Sequence, residues 1–121
     1  MKLCFYGPES ECRTILQLIN QIPRYQNWVG TWEGCTEYDS FVRSLTSTEY
    51  DAVMITENNA IGMEGVIAAR NVHPQIPVVW FSNDEGFGSQ AYRLNTDFFH
   101  SKPITAPILE MALARLPKKV S

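Results

Sequence analysis

Few side chains in this chain of 121 residues stand where they could act together chemically. Cys4, Cys12 and Cys35 include no C-x-x-C pair, so neither a disulfide framework nor a zinc site is indicated. Cys12 precedes Arg13, which would favour a thiolate. It falls on the apolar face of a helical pattern, however, and reads as an inert core thiol. His73 and His100 have no carboxylate or cysteine at ligand spacing. What remains is a set of residues at the ends of apolar runs: Gly7-Pro8-Glu9, Thr56-Glu57, Ser82 and Lys102-Pro103. Lys102 can hold an anion, and Glu9 and Glu57 offer carboxylates. The Thr56 hydroxyl is a poor nucleophile without a base. Thr56 and Ser82 read most simply as polar strand ends that satisfy backbone groups.

The elements that must position these residues alternate. Lys2–Tyr6 is a short apolar run closed by Gly7-Pro8 and reads as a buried strand. Cys12, Ile15, Leu16, Ile19 and Ile22 then recur at helical spacing, with Glu9 and Glu11 in the first turn and Pro23 as the stop. Tyr25–Trp32 reads as an edge strand, with Trp28 and Trp32 on one face and packed in the core. Tyr38, Phe41, Val42 and Leu45 mark a second helix, Ala52–Thr56 a buried strand, and Met63–Val72 a helix weakened by Gly65. Pro77–Ser82 is another buried strand. A short helix over Gln90–Leu94, begun near Glu85, and a strand at Phe98–His100 follow. Thr105 suits an N-cap, and Ile108, Met111, Ala112 and Leu116 form one face of a last helix.

Strands apolar on both faces, alternating with amphipathic helices, predict an α/β three-layer sandwich around a parallel sheet. Right-handed crossovers favour the flavodoxin-like (βα)5 order 2-1-3-4-5. Ligands of such sheets sit at the carboxyl ends of the strands, which is where the polar residues named above fall.

Composition narrows the function. The 45% apolar and 19% charged residues suit one globular domain over 1–121, with 117–121 a tail or the start of a linker. A formal charge of −3 gives no general attraction for nucleic acid, so direct nucleic-acid binding is not expected. Lys118-Lys119 is too short a basic run to change that. The thiols suit a cytoplasmic protein, and no apolar run is long enough to span a membrane.

Several spans resemble the receiver (CheY-like) domains of bacterial response regulators, most of all those of LytTR-type regulators. Asp51–Thr56 looks like the third strand of that family, which ordinarily ends on the phosphorylated aspartate. Gly62-Met63-Glu64-Gly65 resembles the opening of the next helix, and Pro77–Ser82 the fourth strand with its terminal hydroxyl residue. Ala91–Phe99 resembles the fourth helix running into the fifth strand, with Phe99 at the switch aromatic. Lys102-Pro103 matches the family's lysine and cis-proline.

The resemblance fails where a receiver does its chemistry. A receiver needs two acidic residues after the first strand and an acceptor aspartate to hold Mg²⁺ and present a nucleophile. This chain has Gly7, Pro8 and Thr56 there. The expectation is a pseudo-receiver: not an enzyme, with no cofactor, no metal and no aspartyl phosphorylation. Its degenerate pocket comprises Gly7, Pro8, Glu9, Thr56, Glu57, Ser82, Lys102 and Pro103, with Lys102 paired to Glu9 or Glu57. The resemblance implies a protein partner or a second copy, bound through the fourth helix, fifth strand and fifth helix, in bacterial signalling or transcription control. Phe87, Tyr92 and Phe99 are the candidate contacts. The alternative is a phosphoacceptor using a non-standard residue. Neither a phosphocysteine loop nor a flavin-phosphate loop fits: no cysteine follows the first strand closely, and Glu9 and Glu11 would repel a phosphate.

Overall fold

The computed structural model describes residues 1–116, so the tail expected at 117–121 lies outside the described residues. Five parallel strands, β1 (Lys2–Tyr6), β2 (Thr31–Cys35), β3 (Ala52–Ile55), β4 (Val78–Ser82) and β5 (Phe98–Ser101), form a sheet of order β2-β1-β3-β4-β5. The helices α1 (Glu9–Gln21), α2 (Tyr38–Ser47), α3 (Asn59–Val72), α4 (Gly88–Arg93) and α5 (Ala106–Ala114) connect and follow them. This is the flavodoxin-like order that the alternation predicts.

Side-chain alternation along the strands divides the core in two. Leu3 and Phe5 of β1, with Val79 and Phe81 of β4, pack with Ile15 of α1 and Leu109 of α5. Cys4 and Tyr6, with Val78 and Trp80, face the other way and meet Phe41, Leu45, Val66 and Ala69 of α2 and α3. Phe98 and Phe99 likewise face opposite sides: Phe98 meets Phe81 at 6.2 Å and Phe99 meets Trp80 at 5.0 Å between ring centroids.

Four readings need correction. Tyr25–Trp32 is not the second strand: Pro23–Tyr25 is a turn of 3-10 helix, and β2 begins at Thr31. Tyr25 is buried under α1, with Trp28 edge-on to it at 5.6 Å, so these aromatics brace a loop instead of lining a strand. Trp32 is 40% exposed and does not share a core face with Trp28. Helix α3 starts at Asn59, a turn before Met63, because the first turn hangs on the β4 loop. Met111 is 57% exposed, off the buried face of Leu109, Ala112 and Leu113, and Leu116 is buried beyond the end of α5.

One half-buried cation holds the lower edge together. Arg70, in the last turn of α3, donates from Nε to Leu94 O at 3.0 Å and from Nη2 to Asn95 O at 2.6 Å. It also donates to Pro74 O at 3.4 Å and to Ile76 O, and it meets Asp97 Oδ1 at 3.4 Å. A planar guanidinium with five donors suits such a set of carbonyls. Burial pushes the Asp97 carboxyl up, and Arg70 opposes that.

Candidate functional site

The carboxyl ends of β1, β3, β4 and β5 bring Gly7, Thr56, Ser82 and Lys102 to one edge of the sheet. Gly7 leaves β1 at φ +155°, donating its N–H to Cys35 O at 3.0 Å. Thr56 N donates to Tyr6 O at 2.9 Å, which sets Thr56 beside Gly7. A Cβ on Gly7 would lie 1.9 Å from Thr56 Oγ1. The threonine therefore fills the space into which a side chain at position 7 would project. Pro8 follows as the N-cap of α1, offering neither an N–H nor a side-chain ligand.

Thr56 and Ser82 are both buried. Ser82 Oγ accepts from Asn59 N at 3.2 Å and Asp84 N at 3.3 Å, which ties the start of α3 to the loop after β4. Asn58 Oδ1 adds a bond from Asn83 N at 2.9 Å. Ser82 thus behaves as a strand-end hydroxyl satisfying backbone donors. Neither histidine stands against Thr56: His73 contacts Leu45 O and His100 contacts Ser101 O.

Lys102 reaches across the edge from the loop after β5, and its peptide bond to Pro103 is cis. Its Nζ meets Glu11 Oε2 at 2.7 Å and donates to Thr56 O at 2.7 Å. The expected partners were Glu9 or Glu57, and neither pairs with it. Glu9 lies on the outer side of α1 in an exposed pair with Arg13 at 2.9 Å. Glu57 contributes its backbone carbonyl to Trp80 Nε1 at 2.9 Å. Glu11 stands one turn before Ile15, which is fully buried, so this side of α1 faces the sheet. That spacing was the sequence signal for the pair. Lys102 and Glu11 side chains are 16% and 29% exposed, sheltered enough for the pair to resist screening by salt.

The pocket holds no set of acidic groups of the kind Mg²⁺ requires: among the described residues no cluster of three or more His, Cys, Asp or Glu side chains could hold a metal ion.

The candidate interface divides. Tyr92 is 85% exposed on α4. Phe87 and Phe99 are half-buried and pack edge-on to Trp80, at 5.9 and 5.0 Å. They support the surface from below, because the broad indole of Trp80 draws both rings inward. Thr96 Oγ1, in the groove beside Tyr92 and Phe99, is buried without a hydrogen-bond partner.

No family model matches the sequence, and no curated protein matches it. Solved structures do match. The chemotaxis response regulator CheY4 of Vibrio cholerae superposes with a TM-score of 0.74 at 14% identity, covering 94% of this chain and 96% of that one. An N-terminal signal receiver domain of a Bacteroides fragilis response regulator gives 0.71 at 17% identity, covering 98% of both. A putative CpaE2 pilus assembly protein from Sinorhizobium meliloti gives 0.74 at 11% identity, covering 95% of this chain and 98% of that one. The fold is that of CheY-like response-regulator receiver domains.

Proposed function

We propose that this domain is a phosphorylation-independent receiver, a protein-interaction module of bacterial signalling or transcription control that works in the cytoplasm. The observation that carries the reading is the commitment of Lys102 to Glu11 and Thr56 O. A receiver's lysine awaits an acceptor carboxylate and its phosphoryl group; here an internal carboxylate already neutralises it. The Thr56 hydroxyl takes the space into which a side chain on residue 7 would project. Occurrence of the fold in a putative pilus assembly protein agrees with uses outside phosphoryl transfer.

The contact surface is the α4–β5–α5 side. Tyr92 offers a large exposed ring. Aromatic anchors of this kind dominate the energetics of protein interfaces. The reading that Thr56 or another residue accepts a phosphoryl group is weaker, since neither histidine adjoins Thr56 and no metal-binding set occurs among the described residues.

Sedimentation of the wild type and of Tyr92→Ala, each with and without beryllofluoride and Mg²⁺, tests the proposal. The expected result is self-association that Tyr92→Ala weakens and beryllofluoride leaves unchanged. Association that depends on beryllofluoride would contradict it, and a monomer at every concentration would remove the second copy as partner.

A further inference from the structure

Between α1 and the edge strand β2 the packing leaves a small hollow. Leu3 pairs with Trp32 and Phe5 with Gly34 in parallel register, so Trp32 and Gly34 share the sheet face that α1 covers. Trp32 sets its ring edge-on to Phe5 at 6.2 Å, yet stays 40% exposed. Residue 34 has no side chain to fill the space beside it. A Cβ there would stand 3.3 Å from Trp32 Cζ3 and 3.7 Å from Cys12 Sγ, touching both the indole and the thiol. What stays open is a cavity of about 240 Å³, lined by Gly7, Glu9, Cys12, Trp32, Gly34 and Thr36.

The walls differ in chemistry. The Trp32 indole is flat and apolar, with the Arg13 guanidinium 5.9 Å from its ring centroid. Arg13 also donates to Glu9 Oε1, from Nε at 3.2 Å and Nη2 at 2.9 Å, so one cation ties the indole wall to the carboxylate wall. Both of those bonds fall on Oε1. Glu9 Oε2 and the Thr36 hydroxyl accept no bond among the described residues and are open to a ligand. Cys12, 3% exposed, supplies a soft apolar sulfur. Burial pushes its thiol up to about 11, so it meets the cavity uncharged. Apolar walls with a few placed polar groups are what small-molecule sites use.

We infer that this cavity binds a small, uncharged, planar heteroaromatic molecule of one or two rings, whose face lies against Trp32 and whose N–H donates to Glu9. A cavity of about 150 Å³ suffices for benzene, which sets the size. The indole offers offset stacking to such a ring. A cationic ring would meet Arg13 and an anionic one Glu9, so the ring carries no charge. The N–H is the donor that the free carboxylate oxygen can use. The site lies at the β2 edge of the sheet, opposite β5. It is therefore independent of the α4–β5–α5 surface, and its failure would leave that surface standing.

The test is an amide-resolved NMR titration with benzimidazole at pH 7.5, where the ring is neutral, and with 1-methylbenzimidazole, which lacks the N–H. The expected result is saturable shifts centred on Gly34, Thr36 and the Trp32 indole N–H. The methylated probe should bind roughly tenfold more weakly, and Glu9→Ala should bring the two probes to equal affinity. Gly34→Ala, which puts a methyl group into the cavity, should weaken benzimidazole by roughly tenfold. If that variant does not fold, Trp32→Ala, at an exposed ring, carries the test with the same expected loss. No shift up to the solubility of the probe, shifts spread over every exposed ring, equal affinity of the two probes for the wild type, or unchanged affinity in Gly34→Ala would overturn the inference.

Discussion

Gly7 and Thr56 compete for one space: a methyl group on Gly7 would lie 1.9 Å from the Thr56 hydroxyl oxygen. The two residues are sterically coupled, the glycine leaving room for the threonine hydroxyl. Gly7→Ala meets this clash and a backbone at φ +155° that side chains rarely adopt. It is expected to destabilise by about 1–3 kcal/mol. Thr56→Ala should recover part of that loss. A double-mutant cycle by urea unfolding measures the coupling, and simple additivity would show that the two do not share the space.

The pair between Lys102 and Glu11 predicts a second coupling. Lys102→Met leaves Glu11 and Thr56 O without their donor and is expected to cost about 1.5–3 kcal/mol. Glu11→Gln should cost less, since an amide still accepts from the ammonium. Glu9→Gln should stay within about 0.5 kcal/mol, because its pair with Arg13 is exposed. Thermal unfolding of the three variants orders them, and an effect of Glu9→Gln equal to that of Glu11→Gln would refute the assignment.

Arg70 joins the loop before β4 to the loop before β5. Arg70→Lys keeps the charge and loses the fork of donors, so a loss of about 2–3 kcal/mol is expected. Hydrogen exchange should accelerate first at Ile76 and Asn95. Protection unchanged at both would show that the guanidinium does not hold these loops.

The three thiols should be silent in the native state. All are buried; burial raises Cys4 and Cys35, and pushes Cys12 up to about 11 despite Arg13. Native protein at pH 8 should react with a disulfide reagent only through unfolding, and at once in urea. The raised value also has a stability consequence. In the unfolded chain Cys12 ionises near 9.0, while the folded chain keeps its proton until about 11. The folded state therefore binds more protons in that window, and stability falls as pH rises through it. Cys12→Ala should remove its share of that slope.

Much of this was legible in the sequence, and what was not has physical reasons. The three inner strands β1, β3 and β4 announce themselves as apolar runs because both of their faces are covered. The edge strand β2 does not: Thr31, Trp32, Glu33 and Gly34 are exposed, so no apolar pattern marks them, while the true apolar residues Tyr25 and Trp28 sit in a loop. Lys102 was recognisable, but its partner depended on which side of α1 faces the sheet. Arg70 carries no sequence signal beyond its place in a last helical turn, since its partners are carbonyls of distant loops. Tyr6 reads as a strand residue, and only the close approach at Gly65 shows how deep its ring lies.

The central claim is that the acceptor pocket is closed to phosphoryl transfer. Intact mass after incubation with acetyl phosphate and Mg²⁺ tests it most directly, on the wild type and on Thr56→Asp. The account predicts no added phosphoryl group on either protein, because an aspartate at position 56 still lacks the metal ligands that Gly7 and Pro8 cannot supply. A gain of one phosphoryl group on the wild type would contradict it.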